Sequence, residues 1–355
     1  IGYWISKIKT IFSNYAPRAK IEFLRLKFNF PRALPKSKRN LFLIKSPPKS
    51  KKYMTKNPKS SIKEYITSSF MVGTMRLGKW GCNMSSSQIE KFVEGCIENE
   101  LVDFDHADIY GSYTTESDFG AVLKIRSDLR NQIRITTKCG IKMVSENRPK
   151  QKIKSYDLTK KHIKSSVENS LTALQTEYID TLLLHRPDFL FDPYDIADTF
   201  IELEREGKVN HFGVSNFSTS QFDLLHGIFP LITHQVEISL LDRKSFEDGV
   251  LDQCQKYRIK PLAWSPMGGG VLLKKSNDQS IMKIQKQISL LCEKYNASAD
   301  QILLAWLRKH PTGIIPVLGT SKLSRIKSAN DSLKINITHE DWYLLWQAAS
   351  GKEIA

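Results

Sequence analysis

Four side chains that can move or orient protons stand at the ends of short apolar runs. Asp105 and Tyr110 lie five residues apart in FDHADIYG, Phe104 to Gly111. Lys138 lies in TTKCG and His185 in LLLHRPD. Later runs end in the same way, at Ser215 and Asn216 in GVSNF, Gln235 in HQVEIS and Trp264 in PLAWSPMGGG. Apolar runs that stop at polar residues are typical of strands whose C-terminal ends open into loops.

These residue types fit the reduction of a carbonyl group by hydride. Negative charge develops on the carbonyl oxygen, which needs a proton, and Tyr110 can donate it. A free tyrosine has a pKa of about 10, and a neighbouring ammonium favours the phenolate, so Lys138 is expected to lower the pKa of Tyr110. Asp105 would pair with Lys138 and compensate its buried charge. His185 would hydrogen-bond the substrate oxygen and orient the carbonyl.

The elements that must position these residues alternate between short strands and helices. The strand candidates are Phe70 to Met75, Leu101 to Asp105, Ile133 to Thr137, Ile179 to Leu184, His211 to Ser215, Ile232 to Ile238, Ile259 to Trp264 and Gly313 to Leu318. Helical crossovers force parallel pairing, and eight such units predict a closed (β/α)8 barrel, a TIM barrel, with C-terminal helices. In such a barrel the strand ends converge on one face, so the residues above become neighbours.

Amphipathic segments between the strands predict the helices. They are Ser86 to Asn99, Thr159 to Leu174, Ile196 to Glu206, Ser218 to Leu225, Phe246 to Tyr257, Lys283 to Tyr295, Ala299 to Lys309, Leu323 to Leu333 and Glu340 to Ala349. Several open with Ser, Thr or Asp, which suit N-caps. Trp342 and Trp346, four residues apart, share a helix face and are expected to pack against the barrel.

From about Ser69 onward the chain closely resembles the aldo-keto reductase superfamily, and within it a bacterial-type branch of general oxidoreductases. The family's catalytic tetrad of Asp, Tyr, Lys and His matches Asp105, Tyr110, Lys138 and His185. DHADIYG, HRPD and HFGVSNF carry the resemblance together. It implies NADPH-dependent reduction of aldehydes or ketones to alcohols, with Tyr110 as the general acid.

The resemblance also implies a set of cofactor contacts. Ser215, Asn216 and Gln235 would hydrogen-bond the nicotinamide carboxamide, and Trp264 would stack on its ring. The other contacts it implies are Gly73, Thr74, Met75 and Asp105 near the nicotinamide, Ser265, Met267 and Gly268 at the pyrophosphate, and Gly319, Thr320, Ser321, Lys322 and Arg325 at the adenosine end. In GTSKLSR, Lys322 and Arg325 would hold the 2′-phosphate, which favours NADPH over NADH. Gly319-Thr320 stands where many relatives have Lys-Ser. No GxGxxG is present, and barrel reductases do not use one.

Trp80 and Tyr113 are candidates to wall the substrate site, with ordinary loop packing as the alternative. The eight histidines form no HExxH or His/Cys cluster, so no bound metal is expected. Five widely spaced cysteines without CxxC pairs indicate reduced thiols. The thiols are expected to be small packing residues, although Cys139 follows Lys138, whose charge could lower its thiol pKa.

The net charge of +16 is concentrated at the N-terminus. Residues before Met54 contribute +13, and the remaining 302 residues contribute only +3. We interpret residues 1–60 as a basic extension, disordered or targeting, and residues 61–355 as the reductase-like barrel. The extension is read as a transit peptide, a nucleic-acid or membrane arm, or upstream sequence outside the working enzyme. A cytoplasmic location is expected, or an organellar one if the extension is a transit peptide.

The expected partner is a small-molecule carbonyl substrate, with no nucleic acid and no membrane insertion. No apolar run reaches the roughly 18 to 20 residues that span a bilayer. The protein is expected to be a monomer or a weak homo-oligomer. One alternative function stays open, a redox-sensing regulatory subunit that binds cofactor with little turnover, as in the potassium-channel β-subunits of the superfamily.

Overall fold

The computed structural model describes residues 65–354, and within them eight parallel strands close into a barrel. The strands are β1 Met71–Gly73, β2 Asp103–Asp105, β3 Arg134–Cys139, β4 Ile141–Lys142, β5 Ser155–Tyr156, β6 Ile179–Leu184, β7 Val209–Ser215, β8 Thr233–Glu237, β9 Lys260–Trp264 and β10 Ile315–Leu318. Around the barrel their order is β1-β10-β9-β8-β7-β6-β3-β2, whereas β4 and β5 form a separate antiparallel hairpin. The predicted (β/α)8 barrel is confirmed.

Helices alternate with the barrel strands and continue past the last one. They are α1 Ser86–Glu98, α2 Tyr110–Tyr113, α3 Thr115–Ile125, α4 Ser127–Arg130, α5 Lys160–Leu174, α6 Pro193–Arg205, α7 Thr219–His226, α8 Val250–Tyr257, α9 Gln279–Tyr295, α10 Ala299–Arg308, α11 Leu323–Asp331 and α12 His339–Ser350. Short 3₁₀ turns occupy Lys244–Phe246, Gly268–Leu273 and Ser332–Lys334. The two helices after β10 are the predicted C-terminal helices.

Several predicted boundaries differ from the structure because of backbone conformation and capping. Gly313 has a φ of 69°, outside the strand region, so β10 begins at Ile315 rather than at Gly313. Gly249, with a φ of 84°, interrupts the predicted helix Phe246 to Tyr257, which is a 3₁₀ turn followed by α8. Helix α6 begins earlier than predicted, at Pro193, because Asp192 caps it and proline suits the first turn.

Two elements beside the site were not assigned from the sequence. Helix α3 follows the short turn α2 directly, so no loop signal separates it from the DHADIYG motif. The β4–β5 hairpin contains only two paired residues on each side, joined by a polar segment. Both elements pack next to residues that follow Tyr110, and both matter below.

Apolar side chains fill the barrel and the layer between barrel and helices. Met71, Leu183 and Leu262 belong to one buried cluster contributed by strands β1, β6 and β9. Each such side chain stabilises the fold by about 1.5–3 kcal/mol relative to an exposed position. A rigid scaffold of this kind can hold polar side chains at its rim in fixed positions.

The C-terminal helix is held by stacked tryptophans. The rings of Trp306 and Trp342 stack with centroids 5.0 Å apart, and those of Trp342 and Trp346 with centroids 5.3 Å apart. Each indole of the first pair donates to the other's backbone carbonyl, at 3.1 and 3.0 Å. Because Trp306 is fully buried in α10, the predicted packing of Trp342 and Trp346 is confirmed.

Predictions about residues 1–60 and their targeting role lie outside the described residues. Of the helices in residues 65–354, none combines the length and the apolarity that crossing a bilayer requires.

Candidate active site

The C-terminal ends of neighbouring strands bring the predicted tetrad together. Asp105 ends β2, Lys138 lies near the end of β3, and His185 directly follows β6. Tyr110 begins the turn α2, five residues beyond Asp105. The strands β2, β3 and β6 are consecutive in the barrel, so these side chains meet at one edge of its opening.

Lys138 is the centre of the cluster and is only 1% exposed. Its Nζ donates to Asp105 Oδ2 at 2.8 Å, to the His106 carbonyl at 2.7 Å and to the Tyr110 hydroxyl oxygen at 3.0 Å. An ammonium group has three hydrogens, and all three are used. Since the Tyr110 oxygen accepts from Lys138, its own hydrogen is available to another acceptor.

Burial and charge act against each other on this pair. Burial raises the pKa of Tyr110, and the opposing effect of the Lys138 ammonium does not cancel it. The expectation of a lowered Tyr110 pKa is therefore wrong for this state, because loss of hydration of the phenolate outweighs the nearby cation. Burial acts to lower the pKa of Lys138, but Asp105 and Tyr110 raise it by more than burial lowers it. The ammonium therefore stays charged.

His185 faces the same space as Tyr110. Their ring centroids are 6.2 Å apart and the rings are nearly perpendicular, at 81°. Burial, followed by the charges of Lys138, Arg186 and Lys154, holds the pKa of His185 well below its usual range, so the ring is neutral. Its Nδ1 is buried without a hydrogen-bond partner among the described residues.

Asp105 connects this cluster to the opposite part of the barrel. Its second oxygen, Oδ1, accepts a hydrogen bond from Gln235 Nε2 at 2.9 Å. Gln235 lies in β8, so the bond joins residues 130 positions apart in the chain. Both oxygens of the Asp105 carboxylate are therefore fixed.

The predicted nicotinamide contacts lie together at the ends of β7, β8 and β9. Asn216 Nδ2 donates to Ser215 Oγ at 2.6 Å and to the His185 carbonyl at 3.3 Å. Trp264 Nε1 donates to Asn216 Oδ1 at 3.0 Å, which fixes the indole beside the amide. The Asn216 backbone nitrogen also donates to the Gln235 carbonyl at 2.9 Å, so four predicted cofactor residues, Ser215, Asn216, Gln235 and Trp264, form one polar patch.

The end of β1 adjoins the tetrad from the other side. Thr74 donates to the Asp105 carbonyl through its backbone nitrogen and through Oγ1, both at 3.0 Å. Gly73 pairs with Asp105 in the sheet, and Met75 is half-exposed beyond them. Trp80 is also half-exposed, with its ring centroid 6.3 Å from that of Tyr110.

The remaining predicted cofactor residues lie after β9 and β10. Ser265, Met267 and Gly268 lead from β9 into the 3₁₀ turn Gly268–Leu273. Gly319, Thr320 and Ser321 lead from β10 to α11, where Thr320 Oγ1 accepts from the Lys322 backbone nitrogen at 3.1 Å. Lys322 and Arg325 are exposed at the start of that helix.

Two other predictions have clear outcomes or limits. Burial raises the pKa of Cys139 well above its usual range, so the lowering that the Lys138 charge could have caused is absent. The hydroxyl of Tyr113 accepts from the Met143 backbone nitrogen at 2.8 Å and lies 3.1 Å from Gln151 Oε1, within the β4–β5 hairpin. Its role as a substrate residue stays a prediction.

Sequence reasoning missed the carbonyl of His106 as a partner of Lys138. A backbone oxygen carries no signal in the sequence, so only the fold could reveal it. In the described part of the chain, His, Cys, Asp and Glu side chains form no group of three or more that could hold a metal ion.

Comparison with known proteins identifies the class. The sequence model of the Aldo/keto reductase family matches residues 69–349, and the chain belongs to this family. It is an NAD(P)H-dependent oxidoreductase of the aldo-keto reductase type.

Particular relatives support this assignment. The chain is 40% identical to the uncharacterized oxidoreductase YcsN of Bacillus subtilis, over 79% of this chain and 94% of the relative. It is 37% identical to a 6-dehydroglucose reductase of Agrobacterium fabrum, over 81% of this chain and 96% of the relative. The solved structure of a glycerol dehydrogenase from Gluconobacter oxydans shares the fold, with a TM-score of 0.71 at 23% identity, covering 80% of this chain and 92% of that one.

Proposed function

We propose that the protein reduces aldehydes or ketones to alcohols with NADPH, and that Tyr110 is the general acid. One observation carries the proposal. The Tyr110 oxygen accepts a hydrogen bond from Lys138, so the phenol hydrogen is free for a substrate oxygen. The raised Tyr110 pKa keeps that hydrogen in place until a substrate accepts it.

The side chains around Tyr110 have separate roles in this mechanism. As the phenol donates its proton to the carbonyl oxygen, the Lys138 ammonium stabilises the phenolate that forms. Asp105 keeps the ammonium charged and in place. Neutral His185 hydrogen-bonds the carbonyl oxygen and orients it towards Tyr110.

The polar patch on β7, β8 and β9 fits a nicotinamide. A carboxamide has one acceptor and two N–H donors, and the hydroxyl of Ser215 with the amides of Asn216 and Gln235 offers groups of both kinds. Trp264 would stack on the ring. A bound reduced nicotinamide supplies the hydride. Lys322 and Arg325 at the start of α11 would hold the 2′-phosphate, which is the reason to propose NADPH rather than NADH.

Cofactor titration and turnover with wild type and Tyr110→Phe test the proposal. The substrates are a panel of aldehydes and ketones that includes 6-dehydroglucose, and NADPH is compared with NADH. We expect equal NADPH binding by both proteins and a loss of roughly 10²–10⁴-fold in kcat for Tyr110→Phe. Tight NADPH binding without turnover by wild type would instead support the regulatory-subunit alternative.

We also propose that residues 61–355 form the reductase unit and residues 1–60 a separate basic extension. We propose a monomer or a weak homo-oligomer, with a cytoplasmic location, or an organellar one if the extension acts as a transit peptide. Turnover and light scattering of the full chain and of a chain lacking residues 1–60 test the first two points. Imaging of the full chain fused to a fluorescent protein tests the third.

A further inference from the structure

The hairpin β4–β5 is strongly basic in a body that is otherwise nearly neutral. Residues 141–156 hold five cations, Lys142, Arg148, Lys150, Lys152 and Lys154, against one acid, Glu146. Their net charge of +4 exceeds the +3 carried by all residues after Tyr53. Among the described residues, the hairpin's ion pairs are Lys79–Glu146 and Lys142–Asp157. The other four cations have no carboxylate oxygen within 4.0 Å there.

The hairpin is fastened to the active-site turn. Asn147 Nδ2 donates to the Ser112 carbonyl at 2.8 Å, and the Met143 backbone nitrogen donates to the Tyr113 hydroxyl at 2.8 Å. Ser112 and Tyr113 belong to α2, which begins at Tyr110. The basic segment therefore lies beside the proposed proton donor rather than on a remote face.

A second attachment joins the hairpin to the loop after His185. Asp188 Oδ2 accepts from the Leu158 backbone nitrogen, just past β5, at 3.1 Å. In the same loop, the Arg186 guanidinium carbon lies 5.7 Å from the centroid of the Trp264 ring, across the barrel opening. Arg186 directly follows His185, and Lys154 lies in the hairpin one residue before β5, four residues before Leu158.

The barrel order separates the hairpin cations from the proposed cofactor contacts, whereas Arg186 reaches Trp264. Apart from Asp105, those contact residues lie at the C-terminal ends of five consecutive strands, β1, β10, β9, β8 and β7. The basic hairpin follows β3 and Arg186 follows β6, in the remaining part of the barrel with β2. Strands β3 and β9 are diametrically opposite. The hairpin accordingly lies at the part of the rim left for the substrate, and Arg186 lies between that part and Trp264.

We propose that the physiological carbonyl substrate carries an anionic group, a carboxylate or a phosphate, which Lys154 and Arg186 bind while the carbonyl oxygen faces Tyr110 and His185. This inference rests on the proposed function, whose site it extends. The guanidinium suits two-oxygen contacts with either anion, and the ammonium acts as a point charge. The exposed cations Lys150 and Lys152 would attract the same substrate over longer range.

Matched substrate pairs test the proposal with the full-length enzyme. Glyceraldehyde 3-phosphate against glyceraldehyde tests a phosphate, and 4-carboxybenzaldehyde against methyl 4-formylbenzoate tests a carboxylate. We expect wild type to prefer the anionic member of at least one pair in kcat/KM. Lys154→Gln and Arg186→Gln should each reduce that preference roughly three- to tenfold, and added salt should reduce it in wild type. Lys283→Gln, an exposed lysine of α9, is the matched control and should leave the preference unchanged.

Two results would overturn the inference. One is equal kcat/KM within both pairs, and the other is a loss of NADPH affinity in the Lys154 and Arg186 variants with the substrate preference intact.

If no carbonyl compound is reduced, the proposed function fails by itself. Calorimetric titration with 4-(hydroxymethyl)benzoate, glycerol 3-phosphate and their neutral counterparts then decides the binding inference. Binding of an anion that Lys154→Gln and Arg186→Gln weaken supports it, and failure of both anions to bind more tightly than their counterparts refutes it.

Discussion

Glu116 Oε1 accepts a hydrogen bond from Thr137 Oγ1 at 2.5 Å, one residue before Lys138 in β3. Its other oxygen accepts from Ser170 Oγ of α5 at 2.9 Å. The carboxyl group of α3 thus ties the strand that carries Lys138 to a neighbouring helix, and all three side chains are buried.

Replacement of Glu116 should destabilise the fold according to how many of these bonds survive. Glu116→Leu leaves two buried hydroxyls without their partner and should lower the free energy of unfolding by ~2–4 kcal/mol. Glu116→Gln retains the shape and one acceptor and should cost about 1 kcal/mol. Urea unfolding measures both. Glu204→Leu, at an exposed position of α6, is the control, and an equal effect there would contradict the interpretation.

The buried ion pair of Lys138 and Asp105 predicts non-additive mutations. Lys138→Met alone leaves Asp105 buried beside no cation and should lower the free energy of unfolding by ~3–5 kcal/mol. Adding Asp105→Asn removes the unpaired charge, so the double variant should recover much of that loss while remaining inactive. If the losses of unfolding free energy in the two single variants sum to the loss in the double variant, the pairing energy is ruled out.

The neutral His185 ring predicts a specific acid sensitivity. The pKa of His185 is lowered in the fold, so the unfolded chain takes up a proton first as the pH falls. Its contribution to stability is complete above the unfolded pKa of about 6.5 and is lost progressively below it. His185→Gln should therefore lose less stability than wild type between pH ~7 and ~5.

Urea unfolding of both proteins across this pH range checks the His185 prediction. Nitrogen NMR of the wild-type imidazole gives a direct reading. A charged His185 ring at pH ~6 in the folded protein would show that the low pKa is wrong.

Cysteine accessibility predicts selective alkylation. Cys82 is exposed, whereas Cys139 is buried and its thiol pKa is raised well above the usual range. Iodoacetamide should modify Cys82 in the folded protein within minutes and leave Cys139 unmodified until urea is added. Peptide mass spectrometry measures both sites. Cys254, buried with a pKa raised to about 12, is the matched internal control.

The barrel and the approximate positions of its tetrad could be predicted because they depend on local patterns. Short apolar runs predict the strands, and amphipathic segments with capping residues predict the helices between them. Parallel pairing then brings Asp105, Lys138 and His185 to one edge of the barrel. The strand and helix boundaries that were predicted wrongly depend on backbone conformation, which the apolar pattern does not show. Gly313 reads as part of an apolar run, and only its positive φ excludes it from β10.

The protonation behaviour of the site could not be predicted, because it depends on burial. From the sequence, Lys138 next to Cys139 or near Tyr110 suggests lowered pKa values. In the fold, both acids lose hydration. For Tyr110 this cost exceeds the effect of the cation, and for Cys139 the carboxylates of Asp108 and Glu116 raise the pKa further. The β4–β5 hairpin was missed for a different reason, since two residues per strand give no periodicity to detect. Its cations were counted in the sequence but could not be located.

The bond between Gln235 and Asp105 offers a direct route for thermodynamic linkage between the two sides of the site. In the proposed function Gln235 holds the cofactor amide, while Asp105 holds Lys138. One carboxylate therefore contacts both halves of the barrel opening, so we expect cofactor binding at Gln235 to affect the Lys138 side. By reciprocity, any factor by which a bound cofactor changes the proton affinity of the Lys138 and Tyr110 pair is the factor by which ionisation of that pair changes cofactor affinity.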